Sequence, residues 1–233
     1  MWLLVPETLP QREVGLELVV TTKAEAGEEG SLFSALIKRP TIIVFSMIIV
    51  IYFVVFSQYN FGLSLQIGDI FDERSAVVYG TLMTINTVLC SIVPMFLVPL
   101  IKEIKPSLCI VVGGLLYAIG FGMLFTINGY IMFIVSTVLW TLGEILVSTN
   151  TNVYIASHTT ITHRGRFNSI FPIIRKVGFI IGPMAGGAYI GGFGIRSLWL
   201  LIGGLAIIGA ILMLGLYCKE EKNSLLQREK PNL

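Results

Sequence analysis

The residue in this sequence best suited to chemistry is Glu144. It follows a run, 106–143, with no Asp, Glu, Lys or Arg. A carboxyl group in such a setting can take up and release a proton. Thr137, Thr141, Glu144, Ser148 and Thr151 follow one another at spacings of 4, 3, 4 and 3, which puts them on one face of a helix. Asn152 and Tyr154 extend that polar region. A second stripe runs through Tyr52, Tyr59 and Gln66, seven residues apart, with Gln58 and Asn60 beside the middle one. Aromatic rings with polar tips suit a cavity for amphipathic organic molecules, where stacking and a few hydrogen bonds set orientation. A weaker stripe, Tyr79, Met83, Asn86 and Cys90, has Asn86 as its strongly polar member. The structural alternative for each of these side chains is a local bond between packed helices.

Arg175 and Lys176 also lie within an apolar segment. A helix starting near Phe167 places Arg175 roughly 12 Å along, at about 1.5 Å per residue. Either side chain can snorkel to the headgroups. Arg175, however, stands three residues before Gly178 and seven before Gly182, so it shares the glycine face and is expected to look into the same cavity as Glu144. Gly178, Gly182 and Gly186 form small-xxx-small steps that admit a neighbouring backbone. Pro183 removes one helical hydrogen bond and permits a bend. His158 and His163 fall in or near a loop and read as solvated.

The elements that must carry these residues follow from composition. Of 233 residues, 55% are hydrophobic and 13% charged, with 24 glycines. A soluble domain carries roughly 25% charged residues, so this chain cannot clothe a water-exposed surface. Residues 41–68, 75–101, 106–143, 177–195 and 197–218 contain no Asp, Glu, Lys or Arg. The run 106–143 is 38 residues long, too long for one crossing of a core about 30 Å thick, and Asn128-Gly129 breaks it as a turn dipeptide should. The reading is an all-α membrane protein with six transmembrane helices, near 41–67, 76–100, 107–127, 131–156, 168–190 and 197–217. Glu144 then lies about 13 residues from either end of its span, where an acidic group costs roughly 2.5–3.5 kcal/mol and must face a cavity or partner. Open strands are excluded because lipid offers nothing to an unpaired backbone group.

With the N-terminus cytoplasmic, twelve basic residues fall on the inside and only Arg74 and Arg196 outside, Arg175 and Lys176 being set apart. This predicts a multi-pass cell-membrane protein with both termini cytoplasmic. Cys90, Cys109 and Cys218 are too few and too apolar in setting for a disulfide framework or a metal site, and no cofactor is expected. A net charge of +2 and the lack of a Gly-rich loop between strand and helix give no support for nucleic-acid or nucleotide binding. Residues 1–39 read as a mixed-charge cytoplasmic linker preceded by the remnant of a preceding helix end, with a short amphipathic helix near Ser31–Ile37. Residues 40–218 form the six-helix domain and 219–233 a cytoplasmic tail.

Several ordered motifs carry a resemblance. "LVPETLP" at Leu4–Pro10 resembles the end of the sixth helix in the major facilitator superfamily, especially its drug-proton antiporter branch. "WTLGEIL" at Trp140–Leu146 and "HRGRF" at His163–Phe167 resemble the tenth helix and the loop after it. "GFIIGPMAGG" at Gly178–Gly187 resembles the G-x-x-x-G-P-x-x-G-G core associated with antiporters, here as its counterpart in the eleventh helix. Val147-Ser148-Thr149 stands where many relatives place a proline, the loop Ile101–Pro106 keeps only Lys102 and Lys105 of the gating pattern, and no arginine occupies the fourth span. These departures suit the second half rather than the first. The resemblance implies helices seven to twelve, built as two three-helix inverted repeats, with no enzymatic chemistry. It further implies a half-transporter exporting small amphipathic compounds against protons, partnered by an N-terminal six-helix half or a second copy. Glu144 and Arg175 would serve proton coupling. Tyr52, Gln58, Tyr59, Asn86, Thr141 and Ser148 would line the substrate cavity. Gly178, Gly182, Pro183, Gly186 and Gly187 would serve helix packing and gating. The competing expectation is a six-helix membrane fragment or interaction partner without transport of its own.

Overall fold

The computed structural model describes the backbone of residues 40–158 and 164–228, and the side chains of 41–158 and 172–222. The proposed linker with its helix near Ser31–Ile37, His163, and the side chains of Arg164 and Arg166 lie outside the described residues. Two compact units are distinguished, residues 1–39 and 40–233, and the described helices belong to the second.

Among the described residues every regular element is helical. In chain order they are α1 (Pro40–Ser57), α2 (Gly62–Phe71), a 3-10 turn (Asp72–Arg74), α3 (Ser75–Ile101), α4 (Pro106–Gly122), a 3-10 turn (Met123–Phe125), α5 (Tyr130–His158), α6 (Arg164–Phe193) and α7 (Ile195–Arg228). Pro106 occupies the first turn of α4, where its missing N–H costs nothing. The Asn128-Gly129 break separates the 3-10 turn after α4 from α5, where the turn dipeptide predicts it. Between α6 and α7 the chain turns at Gly194, whose φ of +81° suits glycine and whose N–H donates to the Ile190 carbonyl at 2.8 Å.

Five helical runs are long and apolar enough to cross a membrane. The first, Thr41–Ile101, is 61 residues long and contains two of the six expected spans. It is not one straight rod, which at 1.5 Å per residue would separate residues twenty apart by about 30 Å. The Tyr79 hydroxyl instead lies 3.3 Å from Asn60 Oδ1, so the chain doubles back. The reversal passes through Asp72, a non-glycine residue at φ 44°.

Contacts between helices show which way each runs. Val50, Val54 and Gln58 of the α1 region meet Gly178, Gly182 and Gly186 in the same order, so α1 and α6 are parallel. Asn86 meets Thr141 and Glu144, and Cys90 meets Glu144, which makes α3 and α5 a second parallel pair. Gly113 lies beside Val147 while Gly120 lies beside Trp140, so α4 and α5 are antiparallel. Tyr52 meets Gly209, and Thr41 meets Leu216 in one groove, so α1 and α7 are antiparallel as well. The core runs along α1, α4, α5 and α7 and is filled by Phe45, Tyr52, Tyr117, Phe121, Trp140 and Trp199. By contrast α3 and α6 present broad apolar faces outward, among them Met95, Phe96 and Leu100 on one and Ile173, Ile180 and Met184 on the other.

Candidate functional site

Glu144 sits mid-way along α5, half-buried. The Asn86 amide of α3 donates to Glu144 Oε2 at 2.9 Å and to the Thr141 hydroxyl at 3.0 Å. The Cys90 thiol donates to the same carboxylate oxygen at 3.5 Å. The group therefore rests on donors from a neighbouring helix, in a setting where an unpaired carboxylate would be costly. Asn86 and Cys90 are four residues apart, which puts both over one turn of α5. Ser148, one turn further along, is half-buried and bonds back to the Ile145 carbonyl at 3.4 Å. Thr137 and Thr151 on the same stripe are buried, and Asn152 is turned outward.

The Tyr52, Gln58 and Tyr59 set divides. Tyr59 is half-buried, stacks on Trp140 with centroids 5.7 Å apart and packs on Phe56 at 4.6 Å. Trp140 stacks in turn on Phe121 at 5.6 Å, and Phe121 on Trp199 at 6.0 Å, so four rings form a slab across the bundle. Tyr52 and Gln58 lie inside the bundle. The Tyr52 hydroxyl fills the space beside Gly114 of α4, and its ring passes within 3.1 Å of where a β-carbon on Gly209 would be. Gln58 stands at the end of α1, where the helix gives way before α2. Its amide touches Gly62 and Gly186, and neither amide atom has a hydrogen-bond partner among the described residues. Gln66 is anchored by its amide, which donates to the Leu124 carbonyl at 2.9 Å.

The glycine run of α6 lies against α1. A β-carbon on Gly178 would come within 2.5 Å of Phe53 Cβ, one on Gly182 would collide with the Ser57 hydroxyl, and one on Gly186 would lie 2.9 Å from Gln58 Oε1. Gly187 faces the Phe61 ring more loosely, at 3.4 Å. The helix continues through Pro172 and Pro183 without interruption. Arg175 is exposed, and its guanidinium lies over the Phe53 ring, 4.7 Å from the centroid. It forms no ion pair with Glu144. An aromatic cluster of Phe53, Phe179 and Phe56 leads from Arg175 to Tyr59.

Two features escape sequence reasoning. The first is a backbone-to-backbone contact of α4 and α5. A β-carbon on Gly143 would lie 2.7 Å from the Gly113 carbonyl oxygen, and one on Gly120 would lie 2.7 Å from the Trp140 amide nitrogen. The seven-residue spacing of Gly113 and Gly120 was the available signal. The second corrects the reading of His158 as solvated. Its ring stacks on Tyr154 at 4.1 Å, and its Nε2 lies 3.5 Å from Glu220 of α7, which also accepts a hydrogen bond from Tyr154. Nearby Lys105 pairs with Glu221 and lies over the Tyr217 ring.

Five long apolar helical runs among the described residues, with a partnered carboxyl group within one of them, define an integral membrane protein with a polar intramembrane site. The family model described as Major Facilitator Superfamily matches residues 42–232, and the chain belongs to that family of secondary transporters. No curated protein matches the chain.

Proposed function

We propose that the chain forms a six-crossing unit of a proton-coupled transporter that exports small amphipathic organic compounds by alternating access, with Glu144 carrying the proton. The observation that carries this reading is the Glu144 cluster: a half-buried carboxyl group in mid-helix, held by Asn86 and Cys90 of another helix. Protonation weakens those charge-assisted bonds, so proton uptake is coupled to how α3 sits on α5. Tyr59, Asn86 and Ser148 face the substrate, Tyr52 and Gln58 back them, and Arg175 tunes the site from across the Phe53 cluster. The unpartnered amide of Gln58 suits a group that finds its partner in another state of the cycle. Gly178, Gly182 and Gly186 with Pro183 let α6 move on α1 as a gate.

The alternation of helix directions supports six crossings, the run Thr41–Ile101 supplying two. It also supports two three-helix inverted repeats. Exchanging α1 with α5, α3 with α6 and α4 with α7 turns the parallel α1–α6 pair into the parallel α5–α3 pair. The same exchange turns the antiparallel α4–α5 pair into α7–α1. In this reading both termini are cytoplasmic in the cell membrane, and a second six-helix unit covers α3 and α6. The wide apolar faces of those two helices equally suit an interaction partner without transport of its own.

The test uses proteoliposomes holding the chain, alone and with a candidate second half, with rhodamine 6G and ethidium as probes. Glu144→Gln should cut flux driven by a pH gradient by about a hundredfold or more. Dye exchange without a gradient should persist. Gradient-driven flux unchanged in Glu144→Gln would remove the assignment, and no flux in any arrangement would favour the interaction reading.

A further inference from the structure

The boundary between α1 and α7 carries a second feature that owes nothing to the Glu144 site. Where α1 begins and the uncharged part of α7 ends, a groove of about 230 Å³ is lined by Thr41, Val44, Gly215, Leu216 and Lys219. A β-carbon on Gly215 would meet nothing within 4 Å, so this glycine is a notch rather than a close contact. Ile208, Leu212, Gly215 and Lys219 follow at spacings of 4, 3 and 4 and share one face of α7. Ile208 is 51% and Leu212 47% exposed, and across the groove Val44 is 46% and Met47 67% exposed. An open apolar track therefore runs along the outside of the bundle and ends at an ammonium group.

Two of the lysines at this end of the molecule stand beside carboxylates among the described residues. Lys105 is paired with Glu221, and Lys102 lies 3.8 Å from Glu103. Lys219 forms no ion pair among the described residues, and exposed Lys222 follows one turn later. An unpaired cation at the point where the apolar run 197–218 stops has the charge and depth to meet an anionic headgroup. A larger groove of about 280 Å³, lined by Leu97, Ile101, Ile104, Leu108 and Val112 among others, is apolar throughout and has no such cation.

We propose that the α1–α7 groove binds one anionic phospholipid. Its phosphate lies on Lys219, with the Thr41 hydroxyl as a further donor, and one acyl chain runs through the Gly215 notch along Leu212 and Ile208. The all-apolar groove takes an acyl chain without choosing its headgroup.

The experiment titrates the full chain in detergent with dioleoyl-phosphatidylglycerol or dioleoyl-phosphatidylcholine and counts bound lipids by native mass spectrometry. Phosphatidylglycerol should bind more tightly. Lys219→Gln should weaken it by about fivefold, leaving phosphatidylcholine unchanged. Lys219→Arg should keep the preference, Gly215→Leu should weaken both lipids by filling the notch, and Lys102→Gln should change neither. The proposal is overturned by an unchanged preference in Lys219→Gln or by an equal loss in Lys102→Gln. It is overturned too if glycerol phosphate displaces the lipid at equal concentration, which would mark a site for free phosphate.

Discussion

Asn86 holds together the chemistry of the site. Its amide donates to both Thr141 and Glu144, so one side chain of α3 fixes two of α5. Replacing it with leucine keeps the branched shape but leaves a half-buried carboxyl group short of a donor, a loss of about 1–3 kcal/mol. Asn86→Leu should therefore lower the thermal midpoint of the detergent-solubilised chain, and the drop should shrink when Glu144 is also replaced by leucine. An equal drop in both backgrounds would mean that Asn86 acts apart from Glu144. The spacing of Thr137, Thr141, Glu144, Ser148 and Thr151 was legible in the sequence, because a polar stripe on an apolar helix has few other readings. What the spacing could not supply was depth across the bundle. Tyr52 and Tyr59 are seven residues apart, yet the first is buried against Gly114 and Gly209 and the second stays half open. The helix gives way between them at Gln58–Phe61, and periodicity no longer holds across such a break. Arg175 shares the glycine face in sequence, but its length lets the guanidinium settle on Phe53.

Among the elements, the pairs α1–α6 and α4–α5 are both built on glycine, for the same physical reason. Helices in lipid gain little from burying apolar surface, so they associate by close packing. The α6 run was legible because three glycines recur every four residues. The α4–α5 contact left only the seven-residue spacing of Gly113 and Gly120, which does not report that their partners are Gly143 and Trp140 on a different helix. Gly143→Val places a branched side chain where even a β-carbon would lie 2.7 Å from the Gly113 carbonyl. It should cost about 1–3 kcal/mol by overpacking. Gly204→Val, where a β-carbon meets nothing within 4 Å, should stay within about 0.5 kcal/mol. Unfolding in a detergent mixture compares the two. Equal losses would show that glycine matters here for insertion rather than for the contact. The proline at position 183 reads from sequence as a place that permits a bend, and α6 continues through it as one helix.

At the scale of the molecule, composition was enough to place the chain in lipid, and the charge gaps located every long apolar run. The charges at Asp69, Asp72, Glu73 and Arg74 already divide the long run Thr41–Ile101 into two of the expected spans, but they could not give the backbone geometry of the reversal at Asp72. Orientation is open to a direct check. Cys218 is exposed at the charged end of α7, whereas Cys109 is buried and Cys90 half-buried. A membrane-impermeant maleimide should modify Cys218 in inside-out vesicles and leave intact cells unlabelled. Labelling from the outer side would reverse the assigned topology.

The ring slab gives the protein an optical property of its own. Trp140 of α5 and Trp199 of α7 both stack on Phe121 and are buried, while the only other indole, Trp2, precedes the helical domain in the chain. With Trp2 replaced and excitation at the red edge, where tyrosine does not absorb, the emission of the molecule would come from two indoles close enough to exchange excitation. Its colour and polarisation would then register any sliding of the helix that carries Glu144 against α7, without an attached dye.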